Sequence, residues 1–156
     1  MGTVNDPGLV SLIRGRTDYA DSKEIASMVH RALDRLNLPD GWFPQGAKVV
    51  LKPNWVKEHD ERQPGPNQWE HVVTHPAVIE GVADWVAPRL GDAGQMVICD
   101  APQTDSSFAK LSAYLDLDGL LKRLRARWPK VTFRVLDLRP EEWLAVDGVT
   151  VSKTPL

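Results

Sequence analysis

The chain has a single cysteine, Cys99, among 156 residues. A lone thiol closes no disulfide within the chain, and it excludes a self-contained iron–sulfur cluster or a cysteine-rich zinc site. Charge of one sign is lacking too. Nineteen Lys and Arg stand against 21 Asp and Glu, for a formal net charge of -2. That balance argues against wholesale binding to nucleic acid or acidic membrane, both of which favour a basic surface. No apolar run approaches the roughly 20 residues needed to span a bilayer. Residues 1–6 lack the basic region and apolar stretch of a secretory signal. A cytoplasmic location is therefore the default expectation. There is no G-x-G-x-x-G after the first candidate strand, no G-x-x-x-x-G-K-S/T and no G-x-S-x-G. Dinucleotide binding, P-loop chemistry and the hydrolase nucleophile elbow are thus unsignalled.

What is present reads as one domain. Hydrophobic residues make up 42% and charged residues 26%, the composition of a chain that buries a core. Val10-Ser11-Leu12-Ile13 reads as a first strand. Asp21 followed by Glu24 is a helix-start signal, with Ile25, Met28, Val29, Ala32, Leu33 and Leu36 at helical spacing behind it. Asn37 and Pro39 stop that helix. Residues 47–51 read as a second strand, apolar on the consecutive positions Val49, Val50 and Leu51, the pattern of a central parallel strand covered on both faces. Residues 57–71 form a polar loop rich in turn residues. Thr74 or His75 caps a second helix with Pro76 in its first turn and Val78, Ile79, Val82 and Val86 as its stripe; Pro88 ends or kinks it. A strand at 96–99 follows. Then come a polar loop at 103–107, a third helix through Leu117, Leu120, Leu121, Leu124 and Trp128, and a strand at 131–138. Asp147-Gly148 signals a tight antiparallel hairpin within 144–151. The expected fold is therefore α/β, a three-layer, mainly parallel open sheet with helices on both faces and an antiparallel C-terminal hairpin.

Ligands of such sheets sit beyond the carboxyl ends of the strands. Two polar segments land there, Lys52-Pro53-Asn54 and Asp100-Ala101-Pro102-Gln103-Thr104-Asp105. Lys52 and Asn54, with Thr74 and Gln103, are the expected ligand-binding residues for a carboxylate or phosphate. Asp100, Asp105 and His75 are the expected catalytic residues, with a divalent cation as one thing the two aspartates could hold. A plainer reading stands beside this one: Lys52 pairs with Asp100 and orients two loops, and His75 is a helix cap. The spacing of His59, His71 and His75 is too loose for a zinc site. Cys99 reads as a small buried hydrophobe. The basic run 122–127 reads as the solvated face of a helix. Trp55 and Trp69 flank the polar loop and either stack on a ligand or pack it.

Val49-Val50-Leu51-Lys52-Pro53-Asn54-Trp55-Val56, then Thr74-His75-Pro76-Ala77-Val78-Ile79, then Val97-Ile98-Cys99-Asp100-Ala101-Pro102-Gln103-Thr104-Asp105 resemble the domain of unknown function 362 family, and Leu136-Asp137-Leu138-Arg139 fits it as well. Some members carry ferredoxin-type cysteines; this chain has none, so the resemblance implies no iron–sulfur cluster here. Members are usually longer, which implies that residues 1–156 are the N-terminal part of a larger domain. Two functions follow as expectations. One is an enzyme or enzyme fragment binding a small anionic or sugar-linked metabolite, its cofactor undefined. The other is a non-catalytic scaffold docking a partner, such as a second copy, through its sheet edge.

Overall fold

Local chemistry sets where the helices begin. In the computed structural model the described residues are 9–15, 18–58, 62 and 68–156, with backbone only at 68 and 69. Helix α1 (Ser22–Asp34) starts where the Asp21 carboxylate accepts the Lys23 and Glu24 N–H groups at 3.0 and 3.1 Å. Arg35 caps its end, and the left-handed Asn37 (φ 47°) follows in the turn beyond. Helix α2 (Pro76–Leu90) has Pro76 in its first turn, where a missing N–H is harmless, and His75 as cap. Pro88 is held inside its last turn, and Gly91 closes it at positive φ. Two further helices follow, the short α3 (Phe108–Tyr114) and α4 (Leu117–Arg127).

Strands β1 (Lys48–Leu51), β2 (Gln95–Asp100) and β3 (Thr132–Asp137) form one parallel sheet in the order β1-β2-β3. Val49 pairs with Met96, and Ile98 pairs with Val135. Strands β4 (Glu141–Val146) and β5 (Val149–Pro155) form a separate antiparallel hairpin. They are joined by Asp147 and Gly148 at φ 49° and 76°, the left-handed pair that a tight hairpin turn requires. The α/β class, the parallel sheet and the C-terminal hairpin match the sequence reading.

Three expectations change. Residues 10–13 form no strand, and Val10 and Leu12 are exposed. Without that strand β1 lies at the sheet edge, and Val50 is 57% exposed rather than covered. Helix coverage is concentrated on one face. The chain crosses the sheet in a single direction, so successive right-handed connections bring α2 and α4 to the same side. There Ile79, Ala83, Val86, Leu90, Met96, Ile98, Leu117, Leu120, Leu124 and Phe133 form one core. Helix α1 packs mainly on α2. A Cβ at Gly81 would lie 3.1 Å from Ala26 Cα and 3.2 Å from Val29 Cβ, so glycine sets how closely these helices meet. On the other face, Val50, Val97 and Arg134 are in register, and Leu136 is exposed beside Cys99.

The basic run on α4 is an exposed face, as expected, and two of its arginines also pair across to α2. Arg123 and Arg127 reach Glu80 on α2 at 3.1 and 3.2 Å, and Arg127 also pairs with Asp84. Among the described residues no helix is long and apolar enough to cross a membrane.

Candidate functional site

The rim formed by the carboxyl ends of β1 and β2 is where Lys52 and Asp100 meet. Lys52 Nζ lies 2.8 Å from Asp100 Oδ1; the lysine side chain is 66% exposed and the aspartate buried. The same carboxylate accepts the Trp55 N–H at 2.7 Å and the Ala101 N–H at 2.9 Å. Burial by itself would raise its pKa, but the Lys52 ammonium and the two backbone donors outweigh burial and hold it below the usual carboxylate range. Asp100 thereby ties the turn after β1 to the end of β2. Burial and the neighbouring Asp100 charge push the Cys99 thiol up, with Lys52 opposing.

Asn54 and Thr74 clasp each other. Asn54 N–H donates to Thr74 Oγ1 at 3.0 Å, and Thr74 N–H donates to the Asn54 carbonyl at 2.8 Å. An antiparallel bridge between Trp55 and Val73 continues this clasp. Trp55 is 1% exposed and tilts against Phe108 with ring centroids 6.1 Å apart, so it packs the loop base. The side chain of Trp69, and His59 with the middle of the polar loop, lie outside the described residues.

His75 Nδ1 accepts the Ala77 N–H at 3.1 Å, and its ring stacks on Tyr19 at 4.0 Å. Burial lowers its pKa, partly opposed by Glu70, and the neutral ring is the form that can accept at Nδ1. The first turn of α2 offers an anion little. Pro76 has no N–H, Ala77 gives its own to His75 Nδ1, and Val78 N–H donates to the His75 carbonyl at 3.0 Å.

Asp105 stands apart from this group. It meets Lys57 Nζ at 2.8 Å. It lines a cleft of about 550 Å³ with Lys57, Glu58, Ser107, Lys110 and Glu142, roofed by the hairpin. Lys52 and Thr74 instead open on a shallower groove of about 250 Å³ walled by Val50, Pro53, Val78 and Val82. The structure thus joins Lys52 to Asp100 and Asn54 to Thr74, and places Asp105 at a second hollow. Gln103 contributes its backbone: its N–H donates to the Val56 carbonyl at 2.9 Å, and its carbonyl accepts from Arg139 at 2.8 Å. Among the described residues no cluster of three or more His, Cys, Asp or Glu is placed to hold a metal.

Three residues that organise the cleft escaped the sequence reading of the site. Buried Glu58 accepts from Ser106 Oγ at 2.8 Å and Ser107 N–H at 3.1 Å. Glu142 accepts the Phe108 N–H at 3.0 Å. Arg139, buried, donates to both Asp137 oxygens, to Glu142, and to the carbonyls of Gln103, Thr104 and Ser106. Burial would lower its pKa, but the Asp137 and Glu142 carboxylates raise it above its ordinary value. The one signal in the sequence was an arginine two residues beyond an aspartate at a strand end. Compared with protein-family models, with curated proteins and with solved structures, the chain has no match.

Proposed function

We propose that this chain is a non-catalytic docking domain that binds an extended protein segment along the outer edge of β5, and that the segment is β5 of a second copy. The observation that carries this reading is the hairpin surface. Leu144, Val146 and Val149 share one face by alternation and register, and all are exposed, as are Val151 and Leu156. The outer edge of β4 is already engaged, since Trp143 N–H donates to the Thr104 carbonyl at 2.7 Å. Among the described residues strand β5 pairs with β4 alone. An unpaired edge beside an apolar face is a template for strand addition, and two copies offer it symmetrically. Light scattering across a concentration series is expected to show a dimer that Val146→Lys with Val149→Lys converts to a monomer of unchanged circular dichroism. A monomer at every concentration, or a dimer indifferent to these changes, sinks the reading.

A second reading rests on the 550 Å³ cleft. It has the volume of a small-ligand site and lies past the end of β2, where a small polar metabolite, anionic or sugar-linked, would be held by Lys57, Asp105 and Lys110. Its test is a thermal-shift screen with phosphates, sugar nucleotides and divalent ions, repeated on Asp105→Asn. A response lost in the variant supports it, and silence across the screen counts against it. Kinship with the domain of unknown function 362 family is likewise our proposal, supported by the order of the Lys52-Pro53-Asn54, Thr74-His75-Pro76 and Asp100-Ala101-Pro102 motifs.

A further inference from the structure

A different surface, at the amino-terminal end of the strands, carries chemistry that neither reading uses. A pocket of about 360 Å³ lies between the end of α1, the turn at 37–43 and the last turns of α2. Part of its lining already holds a basic group of this chain. The Arg89 guanidinium lies 3.6 Å from the Trp85 ring centroid and 3.6 Å from Asp34 Oδ1, and Trp85 Nε1 donates to that same oxygen at 2.7 Å. An indole face and a carboxylate thus hold a basic group between them. The turn at 37–43 adds an indole and a carboxylate of its own to the lining. Trp42 is 54% exposed, and Asp40 is exposed with no ion-pair or hydrogen-bond partner among the described residues.

The backbone fixes this second pair in place. Trp42 N–H donates to the Pro39 carbonyl at 3.1 Å, and Gly41 sits at φ 78°, which together make a tight turn with Asp40 and Trp42 on either side of the glycine. Behind them Leu33, Leu38 and Phe43 supply an apolar wall suited to the methylene stem of a long basic side chain. The lining holds two carboxylates, Asp34 and Asp40, and one guanidinium, Arg89, so the charge left over is negative. We propose that this pocket receives an arginine side chain from a partner protein, stacked on Trp42 and paired with Asp40. An arginine fits better than a neutral hydroxyl-rich ligand because the unmatched group is a carboxylate. It fits better than a compact ammonium because a planar guanidinium both stacks on indole and pairs with carboxylate.

The test follows the indole Nε1 resonances in nitrogen–proton correlation spectra of the intact chain. The probes are a capped glycine pentapeptide with central arginine, its citrulline and lysine counterparts, guanidinium chloride and a neutral sugar. The arginine peptide is expected to shift the Trp42 resonance saturably in the millimolar range, about tenfold more tightly than citrulline. Asp40→Asn is expected to weaken it by about two- to fivefold, and Trp42→Ala to abolish the accompanying shift of the indole resonance of Trp85, which lines the same pocket. Both positions are exposed, and the remaining amide resonances report that the fold persists. Equal response to citrulline or to the sugar overturns the proposal. So does the absence of saturation at about 10 mM, or indifference to Asp40→Asn. If free guanidinium binds as tightly as the peptide, the occupant is a small cation and the protein partner is overturned.

Discussion

Asp100 receives bonds from Lys52, Trp55 and Ala101, and so joins two strand ends with one carboxylate. Its pKa lies below the ordinary value in the folded chain. The stability it contributes is therefore complete above about pH 4 and is lost as pH falls through the lower folded value. Asp100→Asn is expected to cost about 1–3 kcal/mol at pH 7 and to flatten the acid limb of a urea-midpoint profile; an unchanged limb assigns that slope elsewhere. Arg139 makes a larger claim on the fold. Arg139→Met strands Asp137, whose side chain is 9% exposed, at an expected cost of about 3–5 kcal/mol in denaturant unfolding. Lys130→Met breaks only the exposed pair with Asp92 and is expected to cost about 0–1 kcal/mol. Pairing of Lys52 with Asp100 was legible because both lie where adjacent strands end. Glu58 was not, because what it bonds is backbone and hydroxyl at the start of α3, and side-chain charge patterns do not mark such partners; Glu142 shares that blind spot through the Phe108 N–H, although its pair with Arg139 is a charge pair three residues apart.

Elements with a strong local signal were read well. Asp21, His75 with Pro76, and Asp147-Gly148 each place a boundary through the chemistry of one or two residues. Residues 10–13 show the limit of that approach: an apolar run of strand formers becomes a strand only when a neighbour supplies the ladder. Helix α3 was missed for the opposite reason. Its seven residues are too few to display a stripe, and its cap, Ser107, sits in a segment that otherwise looks like loop. Packing between α1 and α2 depends on Gly81, a residue that helix propensity alone would mark as unfavourable. Gly81→Ala favours the isolated helix by about 1 kcal/mol, yet it sets a methyl 3.1 Å from Ala26 Cα. Net destabilisation of about 1–3 kcal/mol is expected. A melting temperature that rises instead would mean that α1 yields freely.

At the scale of the whole molecule, the single direction of strand order decides the layering. The class was legible, but the placement of both sheet-packed helices on one side depends on connection order, which residue patterns do not encode. The hairpin is a second sheet with its own exposed face, so its amides are expected to exchange with solvent about a hundredfold or more faster than those of β2, measured by hydrogen–deuterium exchange. Equal protection would mean that the two sheets open together. Arg139 connects these two parts of the protein. One guanidinium grips the segment at 103–106 below and, through Glu142, the strand above that also holds the first amide of α3. Pulling on the hairpin therefore tugs the floor of the neighbouring hollow. If the proposed occupants of the hairpin edge and of the hollow are coupled through this arginine, each changes the other's affinity by the same factor.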